Sequence, residues 1–168
     1  MTSNFALYGP TGSGKSTVAE ILVDLGYQHL KSGRACRDVC RRLFQSEDKK
    51  ILNDVTMAMR QVDPDVWLKA AMREAQPGDR LTVFDSMRFE SDYEFFRARG
   101  FTLVRIVTDP GARHRRLSRR GQEFDPRRDD SHAAEIELDK HLFDHVLTNN
   151  DDEAQLRSQV LNLMSRLS

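Results

Sequence analysis

The stretch "GPTGSGKST", residues 9–17, decides the fold of this 168-residue chain. It fits the pattern G-x-x-x-x-G-K-[ST], with an apolar segment before it and a helical pattern after it. Glycines let the backbone wrap around a phosphate with its N–H groups inward, and a helix that begins near Lys15 adds the positive end of its dipole. The stretch predicts a triphosphate site in which Lys15 reaches the β- and γ-phosphates and the Ser16 hydroxyl ligates Mg²⁺. The predicted nucleotide-binding residues here are Gly9, Thr11, Gly12, Ser13, Gly14, Lys15, Ser16 and Thr17.

Outward from this loop, short apolar runs alternate with helical patterns along the chain. The predicted strands are Asn4–Gly9, Tyr27–Leu30, Arg80–Asp85, Phe101–Asp109 and Asp144–Asn149. The predicted helices are Ser16–Leu25, Arg34 to about Phe44, Pro64 to a stop at Pro77-Gly78, 90–100, Gly111–Arg120, Ala133–Leu142 and Asp152–Leu167. This alternation predicts a parallel sheet of five strands covered on both faces, a three-layer α/β/α P-loop fold in a single domain over residues 1–168.

Composition narrows the class of protein. Lys+Arg and Asp+Glu both number 26, so the formal net charge is zero, which argues against a broad nucleic-acid-binding face. Cys36 and Cys40 are four residues apart and predict two reduced thiols on one helix face rather than a zinc or redox site. No apolar run approaches the roughly 20 residues that span a bilayer, and the first residues lack the features of a signal peptide. We therefore expect no membrane partner and a cytoplasmic location.

Three classes of P-loop protein compete for the sequence. A GTPase switch needs [NT]-K-x-D after a late strand, but the late strand here continues as "LTNNDDE". A remodelling ATPase usually follows the aspartate at the end of its central strand with a water-activating glutamate, whereas Ser86 follows Asp85. A small-molecule kinase needs a second phosphate site and a lid that excludes water. The arginine pattern favours this third class.

Asp85 and Arg88 form the first part of the predicted second site. Asp85 ends a buried strand at its carboxyl edge, where open α/β sheets bind their ligands, and Arg88 follows in the same loop. We expect Asp85 to hold Mg²⁺ through water and Arg88 to hold the phosphate of an acceptor.

A second group of arginines follows the fourth predicted strand. Arg116 and Arg120 share one helix face, and Arg127 and Arg128 lie in the polar, breaker-rich segment after it. Arginines on a lid can neutralise a transferring phosphoryl group while the lid sheds water. We expect a short lid over about 120–132 without zinc. Arg116, Arg120 and Arg128 are predicted to contact the donor and the transferring group, while others such as Arg115 and Arg119 face solvent.

These segments together resemble the P-loop nucleoside monophosphate kinase superfamily, and most closely the bacteriophage-type deoxynucleoside monophosphate kinases. The resemblance rests on "GPTGSGKST", "DPDVWLKAAM", "VFDSMRFESDYEFFRARGFTLVRI" and "DDSHAAEIELDKHLFDHVLTNN". Animal-type phosphomevalonate kinases and dephospho-CoA kinases are similar over parts of the same segments. The family implies ATP as donor, Mg²⁺, a lid and a mobile acceptor-binding helical insertion, here about 33–76.

The resemblance also assigns the segment "KSGRACR" to the entry of the acceptor-binding helix. On that match Ser32 and Gly33 make the turn, Arg37 binds the acceptor phosphate and Arg34 lies nearby. The expected reaction is transfer of the γ-phosphoryl of ATP to a deoxyribonucleotide or pyrimidine nucleoside monophosphate, by a monomer or homodimer. Two alternatives stay open, namely phosphorylation of phosphomevalonate or dephospho-CoA and a nucleotide-binding regulatory module without transfer.

Overall fold

The structure is a computed structural model that describes residues 3–75, 80–121 and 137–167. The chain divides into two compact units, one of residues 1–29 with 81–168 and one of residues 30–80. The strands are β1 Phe5–Tyr8, β2 Gln28–Leu30, β3 Thr82–Phe84, β4 Thr102–Val107 and β5 His145–Thr148. The helices of the described residues are α1 Lys15–Asp24, α2 Ser32–Phe44, α3 Lys49–Val62, α4 Val66–Arg73, α5 Glu90–Arg97, α6 Pro110–Arg119 and α7 Glu153–Leu167.

The sheet has the strand order β2-β3-β1-β4-β5. β1 runs parallel to both of its neighbours, with Phe5 opposite Val83 on β3 and opposite Thr102 on β4. All four residues of β1 are buried, as expected of a central strand in a parallel sheet. The predicted three-layer α/β/α fold with five parallel strands is confirmed.

Alternate residues of β1 serve the two faces of the sheet. Phe5 and Leu7 pack in one apolar cluster with residues of α1 and α7, among them Val18 and Leu156. On the opposite face Tyr8 stacks on Phe143, with ring centroids 5.2 Å apart. The same alternation on β3 brings the Phe84 ring to 4.8 Å from that of Phe96 on α5. The sheet is therefore covered on both sides, and the loop after β1 lies at its carboxyl edge.

Helix α1 ends at a glycine that the backbone requires. Gly26 has φ +97°, a conformation that side chains with a Cβ adopt only with strain. Its N–H donates to Val23 O at 2.9 Å and the N–H of Tyr27 donates to Leu22 O at 3.0 Å, which closes the last turn in a Schellman motif. The chain then reverses into β2.

The second unit contains α2, α3 and α4 around a small core of Cys36, Cys40 and Trp67. The indole N–H of Trp67 donates to Thr56 O at 3.3 Å and links α4 to α3. Both cysteines are free and buried, and burial together with the neighbouring Cys36 raises the pKa of the Cys40 thiol.

Several predicted elements differ from the observed ones. Helix α3 lies inside the predicted helical insertion but was not predicted as a separate element. Its apolar residues Ile51, Leu52 and Val55 recur at helical spacing and pack, partly buried, against the small core. Residues 137–142, predicted as the end of a helix, form turns held by contacts described below. The rest of that helix and almost all of the proposed lid fall at 122–136, outside the described residues.

Strand β5 forms one edge of the sheet, and a side chain covers part of that edge. The side-chain amide of Gln159 on α7 accepts the N–H of Thr148 at 3.0 Å and donates to Thr148 O at 2.7 Å. None of the helices in the described parts of the chain has the length and apolar character needed to cross a membrane.

Candidate active site

The glycine-rich stretch forms the loop between β1 and α1. Gly14 has φ +102°, and a Cβ at this position would lie 2.1 Å from Nδ2 of Asn149, so only glycine fits. The N–H of Ser13 donates to Pro10 O at 3.0 Å and closes a turn inside the loop. The Ser13 side chain is fully buried, and its hydroxyl has no hydrogen-bond partner among the described residues.

Lys15 lies over the loop that precedes it. Its Nζ donates to Gly9 O and, at 3.1 Å, to Pro10 O. The cation is therefore held at the glycine-rich turn, where the sequence analysis predicts phosphate.

Asp85 brings the end of β3 to the start of α1. The carboxylate is buried, with 8% of its surface exposed, and its Oδ2 accepts from the Ser16 hydroxyl at 3.1 Å. Its Oδ1 accepts from the Ser86 hydroxyl at 3.0 Å. His29 of β2 places Nε2 3.0 Å from the same Oδ1. The structure thus places together Lys15, Ser16 and Asp85, which the sequence analysis assigned to one site.

The oxygen atoms of Ser16 and Asp85 fit Mg²⁺ by their chemistry. Mg²⁺ prefers hard oxygen ligands and is usually held by one or two carboxylates together with substrate phosphates. A hydroxyl and a buried carboxylate in direct contact at a glycine-rich loop match that donor set. Within the described ranges, no group of three or more His, Cys, Asp or Glu residues forms a metal site by itself.

The outer side of the loop is held by side chains that follow β4 and β5 and by one side chain of α6. Thr108 donates from its hydroxyl to Ser13 O at 3.0 Å, and Asn149 donates from Nδ2 to the same oxygen at 2.7 Å. Arg113 on α6 donates from Nε to Thr11 O at 2.9 Å. Each of these side chains is at least nine-tenths buried.

Arg116, predicted to contact phosphate, makes its hydrogen bonds to the segment that follows β5. Its guanidinium donates to Asn149 O at 2.8 Å, to Asn149 Oδ1 at 3.1 Å and to Asp151 O at 3.1 Å. Burial lowers the pKa of Arg116, and the positive charges of Arg120 and Arg115 add to that effect. Arg116 therefore links α6 to the segment after β5, while Arg120 is exposed at the end of α6.

Arg88 lies three residues after Asp85 and is exposed. Its backbone N–H donates to Asp92 Oδ2 at 2.9 Å, and the N–H of Phe89 donates to the same oxygen at 3.0 Å. Asp92 is buried at the first turn of α5 and so fixes the backbone that carries Arg88.

The predicted acceptor residues of the second unit lie at the start of α2. Ser32 and Gly33 are the first residues of that helix rather than a turn before it, because Lys31 in extended conformation already ends the preceding segment. Arg34 lies 3.9 Å from Glu74 across the second unit, with both side chains exposed. The Arg37 guanidinium folds back over Gly33. Arg128 and Arg127 lie outside the described residues.

The family described as "AAA domain" (AAA_18) matches residues 6–138. The chain belongs to this AAA_18 family. The AAA_18 chain is also similar to the UPF0200 protein PAE1629 of Pyrobaculum aerophilum, at 30% identity over 128 residues that cover 75% of this chain and 71% of that protein.

Solved structures of kinases share the fold of the AAA_18 domain. Shikimate kinase from Acinetobacter baumannii, solved in complex with shikimate, aligns at a TM-score of 0.63 and 19% identity over 100% of this chain and 96% of that chain. Dephospho-CoA kinase from Campylobacter jejuni aligns at a TM-score of 0.61 and 15% identity, over 100% of this chain and 98% of that chain. These likenesses establish a P-loop kinase-like fold.

Sequence reasoning missed three residues that hold the loop from outside, namely Thr108, Arg113 and Asn149. Thr108 and Asn149 are polar residues that directly follow β4 and β5, at the carboxyl edge where the loop also lies. That position was the available signal for both. Arg113 carried no such signal, because it stands in a run of basic residues whose other members are mostly exposed.

Proposed function

We propose that this protein is a kinase that transfers the γ-phosphoryl of ATP to a small phosphate-bearing acceptor, and that the acceptor is a nucleoside monophosphate. The single observation that carries the proposal is the contact at 3.1 Å between the Ser16 hydroxyl and the buried Asp85 carboxylate, beside a loop that holds Lys15. This set supplies a cation for the phosphates and two oxygen ligands for Mg²⁺, whose chemistry when bound is to bridge and neutralise phosphate oxygens.

The surroundings of Asp85 favour transfer to an acceptor over hydrolysis. The residue after Asp85 is Ser86, and its hydroxyl donates back to the carboxylate at 3.0 Å. A glutamate that activates water is thus absent at the position where remodelling ATPases usually carry one. In transfer, an oxygen of the acceptor phosphate forms a bond to the γ-phosphorus while the bond to the bridging oxygen of ADP breaks. A phosphate acceptor is already anionic near pH 7, so the step needs positioning and charge neutralisation rather than a general base.

Arg88 supports the assignment of a phosphate-bearing acceptor. It is an exposed guanidinium on a backbone segment fixed by Asp92, three residues from Asp85 at the carboxyl edge of the sheet. Guanidinium groups bind phosphate oxygens in a bidentate manner. Four residues of the second unit are proposed as further acceptor-binding residues, namely Arg34 and Arg37 with Ser32 and Gly33 at the start of α2. Arg116, Arg120 and Arg128 are proposed as contacts of the donor and the transferring group. The likeness to bacteriophage-type enzymes makes deoxyribonucleotide or pyrimidine acceptors the first to test.

A hydroxyl acceptor is the second candidate, suggested by one of the kinases that share the fold. The kinases that align over the whole chain include one bound to shikimate, a small hydroxyl-bearing metabolite without a phosphate. In such a reaction Asp85 would accept the proton of the attacking hydroxyl, and the rate would fall at acidic pH as the carboxylate is protonated. A phosphate acceptor predicts no such dependence on Asp85 as a base.

The test is a coupled assay of ADP release over all ribo- and deoxynucleoside monophosphates, phosphomevalonate, dephospho-CoA and shikimate. Lys15→Ala serves as the control that removes the cation from the donor site. Release with a nucleoside monophosphate and not with the other compounds supports the proposal. Release only with a hydroxyl acceptor, together with an acidic limb in the pH–rate profile, would replace it with the second candidate. ATP binding without acceptor-dependent release would indicate a regulatory module.

A further inference from the structure

Thr108, Arg113 and Asn149, which hold the glycine-rich loop from outside, all donate hydrogen bonds to backbone carbonyls of the loop. Thr108 and Asn149 both donate to Ser13 O, at 3.0 and 2.7 Å, and Arg113 donates to Thr11 O at 2.9 Å. All three donors come from the ends of β4 and β5 or from α6, and none belongs to the loop itself. The acceptors are backbone carbonyls at alternate positions of the loop.

A hydrogen bond that fixes the direction of a carbonyl group also fixes the direction of the next N–H group, because a trans peptide bond is planar. The carbonyl of one residue and the N–H of the next belong to the same planar unit and point in opposite directions. The described residues contain no cis peptide bond. A Thr11 carbonyl held by Arg113 therefore directs the N–H of Gly12 away from α6. A Ser13 carbonyl held by Thr108 and Asn149 likewise directs the N–H of Gly14 to the inner side of the loop.

Arg116 determines which end of the Asn149 amide faces the loop. The guanidinium donates to Asn149 Oδ1 at 3.1 Å and to Asn149 O at 2.8 Å. Since guanidinium groups only donate, Oδ1 must face Arg116 and Nδ2 must face Ser13 O. The Asn149 amide thus links Arg116 of α6 to the backbone of the loop through hydrogen bonds.

We propose that Thr108, Arg113 and Asn149 are positioning residues that preset the inward N–H groups of Gly12 and Gly14 for a polyphosphate. This inference deepens the proposed function, since it rests on phosphate binding by the loop. A loop with several left-handed glycines has many conformations when it is not held, and ordering it on binding would cost affinity. Three buried hydrogen bonds from residues outside the loop order it when the protein folds, before any ligand binds.

Thr108→Val with Thr102→Val as its matched control tests the proposal. Thr102 begins β4 and Thr108 follows its end, and the hydroxyl of each makes a hydrogen bond. The Thr102 Oγ1 lies 2.7 Å from Ser3 Oγ, at the end of the strand remote from the loop. Dissociation constants for ATP and for inorganic tripolyphosphate are measured by calorimetry without any acceptor. Thr108→Val should weaken both by about three- to tenfold, the net worth of one hydrogen bond. Thr102→Val should leave both unchanged, although the two variants should melt at similar temperatures.

Two further variants test the same hydrogen bonds if Thr108→Val does not fold. Thr108→Ser retains the hydroxyl and should restore wild-type affinity. Asn149→Asp retains the acceptor for Arg116 but places a carboxylate against Ser13 O, so we expect a loss of at least about tenfold for both probes. Wild-type affinity in Thr108→Val or Asn149→Asp would overturn the proposal, as would an equal loss in Thr102→Val. Because no acceptor is present, failure here is separate from failure to find phosphoryl transfer.

Discussion

Gly14→Ala compared with Gly26→Ala separates backbone strain from steric exclusion. The two glycines have nearly the same backbone conformation, with φ +102° and φ +97°. A Cβ at residue 26 would meet nothing within 4 Å, whereas a Cβ at residue 14 would lie 2.1 Å from Nδ2 of Asn149. Both substitutions therefore carry the cost of a left-handed backbone, and only Gly14→Ala adds a steric clash.

The magnitudes follow from these two contacts. An alanine forced into the left-handed region costs about 1–2 kcal/mol, and this is the whole expected effect of Gly26→Ala on the free energy of unfolding. Gly14→Ala must also displace Asn149, which breaks its hydrogen bond to the buried Ser13 O and adds about 1–3 kcal/mol. We expect a total of about 2–5 kcal/mol for Gly14→Ala by addition of the two costs.

Urea unfolding followed by circular dichroism gives both free energies, and calorimetry gives the affinity for ATP. Gly26→Ala should bind ATP like the wild-type protein, because residue 26 lies at the far end of α1. Gly14→Ala should lose detectable binding even under conditions where it is folded. Equal unfolding free energies for the two variants, or retained ATP binding in Gly14→Ala, would refute the reasoning from the Asn149 contact.

The remaining predictions concern a cation, an acceptor group and a carboxylate. Lys15→Ala should lower the rate of phosphoryl transfer by on the order of 10²-fold or more in the coupled assay, and near wild-type turnover would contradict the assignment of the loop. Arg88→Ala should mainly raise the KM for the acceptor, and an equal loss of ATP affinity would show that Arg88 serves the donor instead. Burial alone would raise the pKa of Asp144, but the N–H of Leu103 and the Arg97 guanidinium lower it, so the stabilisation is present above about pH 4 and is lost as the pH falls further. Asp144→Asn should accordingly reduce the free energy of unfolding by about 0.5 kcal/mol at neutral pH, a small value because solvent screens this exposed ion pair. The reduction should be smaller near pH 2, as measured by urea titrations at both values. A difference that does not depend on pH would exclude this carboxylate as the cause.

The sheet and the donor side of the site follow from sequence because their causes are local. Strand β1 is an unbroken apolar run, and the loop after it combines fixed glycines with one lysine and one hydroxyl. The contact between Ser16 and Asp85 could also be anticipated, since parallel strands place their carboxyl ends at one edge.

The parts that sequence did not predict depend on distant contacts. Residues 137–142 read as a helix, but Asp139 accepts from Tyr8 at 3.1 Å and from Arg105 at 2.6 Å, and the Tyr93 hydroxyl donates to Leu142 O at 2.7 Å. These contacts outweigh the intrinsic helical preference of the segment. The hydrogen bonds of Arg116 could not be predicted from sequence either, since only the fold shows the carbonyl groups of Asn149 and Asp151 within its reach. Its contact with phosphate stays a prediction.

The amide of Gln159 imitates a neighbouring strand. It supplies Thr148 with one acceptor and one donor, at 3.0 and 2.7 Å, in the places where a sixth strand would supply a backbone C=O and N–H. Exposed strand edges recruit strands from other chains, and this is a common route to aggregation. One side chain of α7 therefore occupies, at Thr148, the backbone groups that a strand of another chain would need for pairing.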